Sequence, residues 1–417
     1  LGDVVANSTG ATKFQGAVLA KSLTTNAGGS TELSADVTTT AAQSFGDSVT
    51  LLNAVQLTTS NAAVSIGGTL NGTHDFTATA GSANVTLTGA IGGTTRLGAL
   101  KLVSTGTMTF GSSVKAASVL TNTNGLVRLG GDVDTTTTQT YNDAIVLTAN
   151  VVISGTDIAL TRTVNSDGTA RTLQVTGSGV TTFGGIVGGT AELASLTVDG
   201  GGTTLLNAGA VTTAGVQSYT DALTLGANTA LVTTNSNVSF TSTLNSSEAL
   251  ATAGTPAPAT LSITAGTGDV TFGNIVGGAT YTATNGALGA VTLVSATNVD
   301  INAAFTAASL TQQTGSGTTT IGGATTLTGA LGFTGGNLVI NAAVGAGGAV
   351  SFTGSALTVN AAVTAGGAVT VANTGTFTTS ATGDINATGA FTQSGAGSNS
   401  LAGDVSLTLG SAALSFA

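Results

Sequence analysis

The sequence predicts an all-β protein: one continuous parallel β-helix, or β-solenoid, over residues 1–417, built of short coils. Three observations predict it. The first is a five-residue pattern, Gln-(Ser/Thr)-(Phe/Tyr)-x-Asp, at Gln43–Asp47, Gln139–Asp143 and Gln217–Asp221. Each copy has a valine six residues upstream (Val37, Val133, Val211) and an alternating apolar pair downstream. The first two copies are 96 residues apart and the last two 78, which five and four whole steps of about 19 residues would fit, so a coil of roughly 19–20 residues lies beneath the long repeat. The second is a direct short repeat: Leu338–Val344 recurs as Leu357–Val363, and Ala346–Val350 recurs at the same offset as Ala365–Val369. The third is period-2 alternation of apolar residues between clusters of Gly, Asn, Asp and Ser, the pattern of short strands and turns.

Taken in chain order, the alternating pairs are Val85/Leu87, Leu100/Leu102, Val127/Leu129, Leu196/Val198, Val291/Leu293, Val350/Phe352 and Val369/Val371. Thr-Phe-Gly recurs at Thr109, Thr182 and Thr271. Residues 246–260 hold the chain's two prolines, Pro256 and Pro258, and read as a loop bulging from one coil, since proline donates no ladder hydrogen bond. Gly, 62 of 417 residues, is spread along the chain as tight turns require. A single coil cannot bury its apolar face, and stacking buries a continuous core. Stacked about 4.8 Å apart, roughly 21 coils extend on the order of 100 Å.

Composition narrows the function. Charged residues are 6% and apolar residues 41%, which opposes disorder and leaves a surface of Thr, Ser, Asn and Gly. All eight basic residues lie before position 172; the remainder carries eight acids. Nucleic-acid binding needs clustered positive charge, so no nucleic-acid partner is expected. No apolar run is long enough for a transmembrane helix, so no membrane insertion is expected of this segment. There is no cysteine.

The candidate sites are structural. In the repeated motif, Gln43, Phe45, Asp47, Gln139, Tyr141, Asp143, Gln217, Tyr219 and Asp221 read as a turn with an interior aromatic. Asn302, Asn341 and Asn360 follow matched apolar residues and suit an asparagine ladder from coil to coil. Gly-Asp-Val/Ile at Asp132, Asp269, Asp384 and Asp404 suits turn capping better than calcium, because neither the calcium β-roll spacing nor an EF-hand loop is present. His74 is the only histidine, and carboxylates are scattered singly. No catalytic, cofactor or metal residue is assigned, and an enzyme is not expected. Threonine runs at Thr38–Thr40, Thr135–Thr138 and Thr318–Thr320 raise ice binding as a minor alternative, without a regular Thr-x-Thr in every coil.

Residues Gln139–Leu147, Thr182–Val198 and Val211–Tyr219 resemble the β-strand repeats of giant bacterial surface proteins, the filamentous-haemagglutinin-like and autotransporter-type adhesins. The resemblance implies a right-handed parallel β-helix exported across the outer membrane. It carries over no functional residues. Neither the family's N-terminal secretion domain nor a C-terminal barrel is recognisable, and the sequence begins with Leu1, so a processed or internal piece of a precursor is expected.

The expected function is a structural subunit of a bacterial extracellular or cell-surface fibre whose partner is itself, head-to-tail and with lateral bundling also open, since a low-charge surface favours lateral association; cell-surface glycans are left open as partners. Head-to-tail contact would use the bare strands around Val4, Val5, Leu409, Leu414 and Phe416, which carry none of the polar caps that close a solenoid. The alternative is an adhesin stalk segment that binds host or neighbouring-cell surfaces, for which the loop around Glu248–Pro258 is the one distinctive patch.

Overall fold

The computed structural model describes residues 1–122, 124–247, 258–278, 286–408 and 413–416. They contain no helix and are 56% strand, arranged as stacked parallel sheets in a β-solenoid of about 20 turns. The chain falls into two compact units, Leu1–Thr204 and Leu205–Ala417, each described by itself below.

In the first unit, one sheet stacks nine strands in chain-ordered steps: Asp3–Ala6, Ser22–Thr25, Gln43–Phe45, Val64–Ile66, Val85–Leu87, Thr107–Phe110, Leu126–Leu129, Ala144–Leu147 and Val164–Ser166. Every third strand or so returns to this sheet, one turn later. The inward rows are apolar, and Phe45, Ile66, Leu87, Phe110, Leu129 and Leu147 succeed one another in register. Each strand alternates buried and partly exposed residues, so one face meets the core and the other water. The second face begins with Ala11–Phe14, Ser30–Leu33 and Ser48–Leu51. The third begins with Val18–Ala20, Val37–Thr39 and Val55–Thr59. Some strands turn a corner: Val114–Thr121 pairs with both Val133–Thr135 and Gln139–Tyr141.

Turn length is not constant. Gln43, Val64, Val85, Met108, Val127, Ile145 and Val164 are successive rungs of one ladder, and the step from Val85 to Met108 is longer than that from Val127 to Ile145. This corrects the expectation that the interval from Gln43 to Gln139 spans whole turns. On the ladder that passes through Gln43, Val127 and Ile145 are consecutive rungs. Gln139 falls between them in sequence and follows Val119 on a different sheet. The motif recurs at a corner of the coil, but not at the same corner.

The second unit has the same three-sheet construction. Gln217, Val238, Val270, Val299, Thr319, Leu338 and Leu357 form one inward ladder. Its longest turns run from Val238 to Val270 and from Val270 to Val299. They contain residues 248–257 and 279–285, so most of the loop expected at 246–260 lies outside the described residues. Tyr219, Phe240 and Phe272 stack with ring centroids 5.3 and 5.4 Å apart, and Phe305 meets Phe272 edge-on. Phe333 and Phe352 stack at 5.3 Å. A parallel in-register ladder places like side chains on adjacent rungs, which is why ring follows ring.

Candidate functional surface

The repeated motif is a buried hydrogen-bonded corner. Gln43 Nε2 donates to the carbonyls of Val37 and Thr58 at 3.0 and 2.9 Å. Gln139 Nε2 donates to Val133 and Ser154, and Gln217 Nε2 to Val211 and Val232. The upstream valine therefore recurs with the motif as the residue whose carbonyl the amide holds. The amide joins one strand to the strand a turn later, where ladder geometry leaves carbonyls at the corner to be satisfied. Tyr141 Oη donates to Gln139 Oε1 at 2.8 Å, and Tyr219 Oη to Gln217 Oε1 at 3.1 Å. The first copy has Phe45 in that place, and Gln43 Oε1 is buried with no hydrogen bond. Burial pushes both phenols well above their ordinary range.

The motif aspartates are also buried. Asp47 Oδ1 accepts from Thr25 Oγ1 and Thr31 Oγ1 at 3.0 and 2.8 Å. Asp143 Oδ1 accepts from the Gly125 amide at 2.6 Å, while its Oδ2 has no hydrogen bond. Val127 explains the difference. It holds against Ile145 the register that Thr31 holds against Val49, but it has no hydroxyl to give. Asp221 is 3% exposed.

Outside the core, Asn and Asp side chains clamp successive turns. Asp132 Oδ1 accepts from the Val152 amide, Asp269 from Asn298 and Asp384 from Asp404. Asp36, Asp75 and Asp157 do the same for Gln56, Ala99 and Val180. These carboxylates are committed to backbone donors one turn on. Among the described residues no three His, Cys, Asp or Glu side chains converge as a metal site. His74 lies in the turn before Phe76–Gly81, where its carbonyl accepts from Gly98. Among the described residues no helix is long and apolar enough to cross a membrane.

The asparagine ladder has one rung-to-rung bond. Asn360 Nδ2 donates to Asn341 Oδ1 at 2.8 Å. Asn302 is two turns from Asn341, and Gly322 occupies the intervening turn, so the amides cannot meet. This corrects the three-member ladder expected above.

The end strands expose core rows. Val4 and Ala6 continue the rows of Leu23 and Thr25, while Val5 faces outward and is 63% exposed. Leu414 and Phe416 sit in register over Phe391 and Gln393 and are 52% and 43% exposed. Phe416 lies on Phe391 with centroids 5.3 Å apart. Leu409 lies outside the described residues. In the second unit an open groove of about 710 Å³ follows one corner over five turns, lined by residues such as Thr314, Gly335, Thr353, Thr374 and Ser394.

Fold and surface together define a β-helix repeat protein. No family model, curated protein or solved structure matches the chain.

Proposed function

We propose that this protein is a structural subunit of a bacterial extracellular or cell-surface fibre, associating head-to-tail through its end strands. The observation that carries the reading is the pair of end surfaces. Among the described residues Asp3–Ala6 pairs with Ser22–Thr25 and Leu414–Phe416 with Phe391–Gln393, each on one side, and the core rows run up to both. An open strand edge is a template for another strand. A heterologous contact of this kind repeats without closing and makes a filament. The sparsely charged, hydroxyl-rich surface, the absence of cysteine and the resemblance to the repeats of giant bacterial surface proteins support the extracellular setting.

Electron microscopy of the 417-residue chain over a concentration series tests this. Filaments many subunits long, with an axial repeat of one subunit, are the expected result. Single particles at every concentration would overturn head-to-tail assembly and leave the adhesin-stalk alternative.

A further inference from the structure

One sheet of the second unit differs from its surroundings in what it lacks. Its ten strands are Ala210–Thr213, Thr229–Thr233, Leu261–Thr264, Leu288–Ser295, Phe305–Gln312, Leu331–Thr334, Val350–Gly354, Val369–Asn373, Phe391–Gln393 and Leu414–Phe416. None carries a charged residue, although residues 205–417 hold six acids and no Lys or Arg. Among the described residues the one acid in the turns that flank them is Asp269, next to Val270 of the neighbouring sheet. The strands of the third sheet are uncharged too, but their flanks are not. The neighbouring sheet displays Asp300, and Asp384 and Asp404 flank the third. Along the middle of the uncharged sheet runs an outward row that includes Ser262, Thr292, Thr311, Ser351, Thr370 and Thr392, each in register with the next rung. Beside it Thr334 and Thr353 begin a second row.

We propose that this sheet is a lateral docking face, and that its partner is the same sheet of a second copy of the chain. Three arguments select that partner. The first is charge. With only acids in this unit, two copies repel wherever carboxylates face each other, and among the described residues this sheet brings none together. The second is period. Rungs repeat about every 4.8 Å, so another β-solenoid meets the rows in step over every rung, and hydroxyls and methyls interdigitate as in a dry sheet-to-sheet interface. The third is area. Ten rungs of three to five residues give roughly 45 Å by roughly 13 Å, or roughly 600 Å² from each copy, at the low end for a specific interface. Such a contact is weak for one pair and adds up along a filament, because each further subunit engages the second contact intramolecularly. The inference deepens the fibre reading by naming its lateral contact, but it is measured separately: head-to-tail assembly changes length, and lateral pairing changes mass per unit length.

The test uses the full chain with paired charges on this face. Thr311→Lys with Thr370→Lys makes a cationic variant, and Thr311→Asp with Thr370→Asp an anionic one. Sedimentation equilibrium and scanning-microscope mass per length are read for each variant alone and for the mixture. Each variant alone is expected to lose lateral pairing, with its dissociation constant raised about tenfold or more by like charges, and the mixture to regain it. A control pair, Thr320→Lys with Thr378→Lys on the neighbouring sheet, is expected to leave pairing unchanged. The proposal is overturned if wild-type chains show no lateral pairing. It is equally overturned if the control disrupts pairing as much as the face variants do, or if the mixture fails to recover while both variants keep the wild-type circular dichroism.

Discussion

One hydroxyl separates Gln43 from Gln139. Both amides cap the same kind of corner, yet only Gln139 has a phenol to satisfy its carbonyl oxygen. An unsatisfied buried acceptor costs about 1–3 kcal/mol, and a hydrogen bond formed in place contributes about 1 kcal/mol. Phe45→Tyr is therefore expected to stabilise the protein by about 1 kcal/mol, seen as a higher denaturant midpoint with an unchanged slope. A lower midpoint would mean that the corner around Phe45 is too tight for the added oxygen. The five-residue motif was legible as a structural element because its residues recur together. The upstream valine was legible as a landmark but not as an acceptor, since it acts through its carbonyl and any side chain supplies that. Nor did spacing show that Val127 replaces Thr31 beside the next aspartate, because strand register decides which residue reaches the carboxylate.

At the scale of the strand and its turn, glycine separates two kinds of position. At Gly323 a Cβ would run into the Ala303 carbonyl, whereas at Gly345 nothing lies within 4 Å. Gly345 stands in an outward row between Thr326 and Thr364. Gly323→Ala is expected to destabilise by about 1–3 kcal/mol, the range for an overpacked site. Gly345→Thr is expected to be neutral or to stabilise by up to about 1 kcal/mol, through better strand propensity. Thermal unfolding of the two variants side by side checks the contrast; equal effects would contradict the packing described for the corner. The existence of the strands was plain from period-2 alternation. Their assignment to sheets was not, because turns of unequal length drift against any fixed period. The asparagine ladder shows the same limit: matched local sequence around Asn302 and Asn341 conceals the turn that separates them.

For the whole molecule, the two buried phenols link fold to pH. Tyr141 lies in the first unit and Tyr219 in the second, and burial raises both above the ordinary value of 10.0. A raised folded-state value means that the unfolded chain releases the proton first. The stability linked to these groups is present below about pH 10 and is lost as pH climbs beyond it. Denaturant midpoints measured between about pH 9 and 12 are expected to fall, and the double variant Tyr141→Phe, Tyr219→Phe to show a shallower fall. An identical slope would place the alkaline sensitivity elsewhere. The fold class was legible from repetition alone. The lateral sheet was not, because its character is the absence of charge on strands that are far apart in sequence.

Corners of one coil accept the same few residues, so a segment copied or lost need not be a whole turn. A strand with its bend, about a third of a turn, is the smallest piece that leaves inward rows facing inward. Gln43 and Gln139 carry the same amide clamp on two different sheets. Such a chain can be lengthened or shortened in small increments while its cross-section stays closed. What each increment changes is the direction in which every later outward row points.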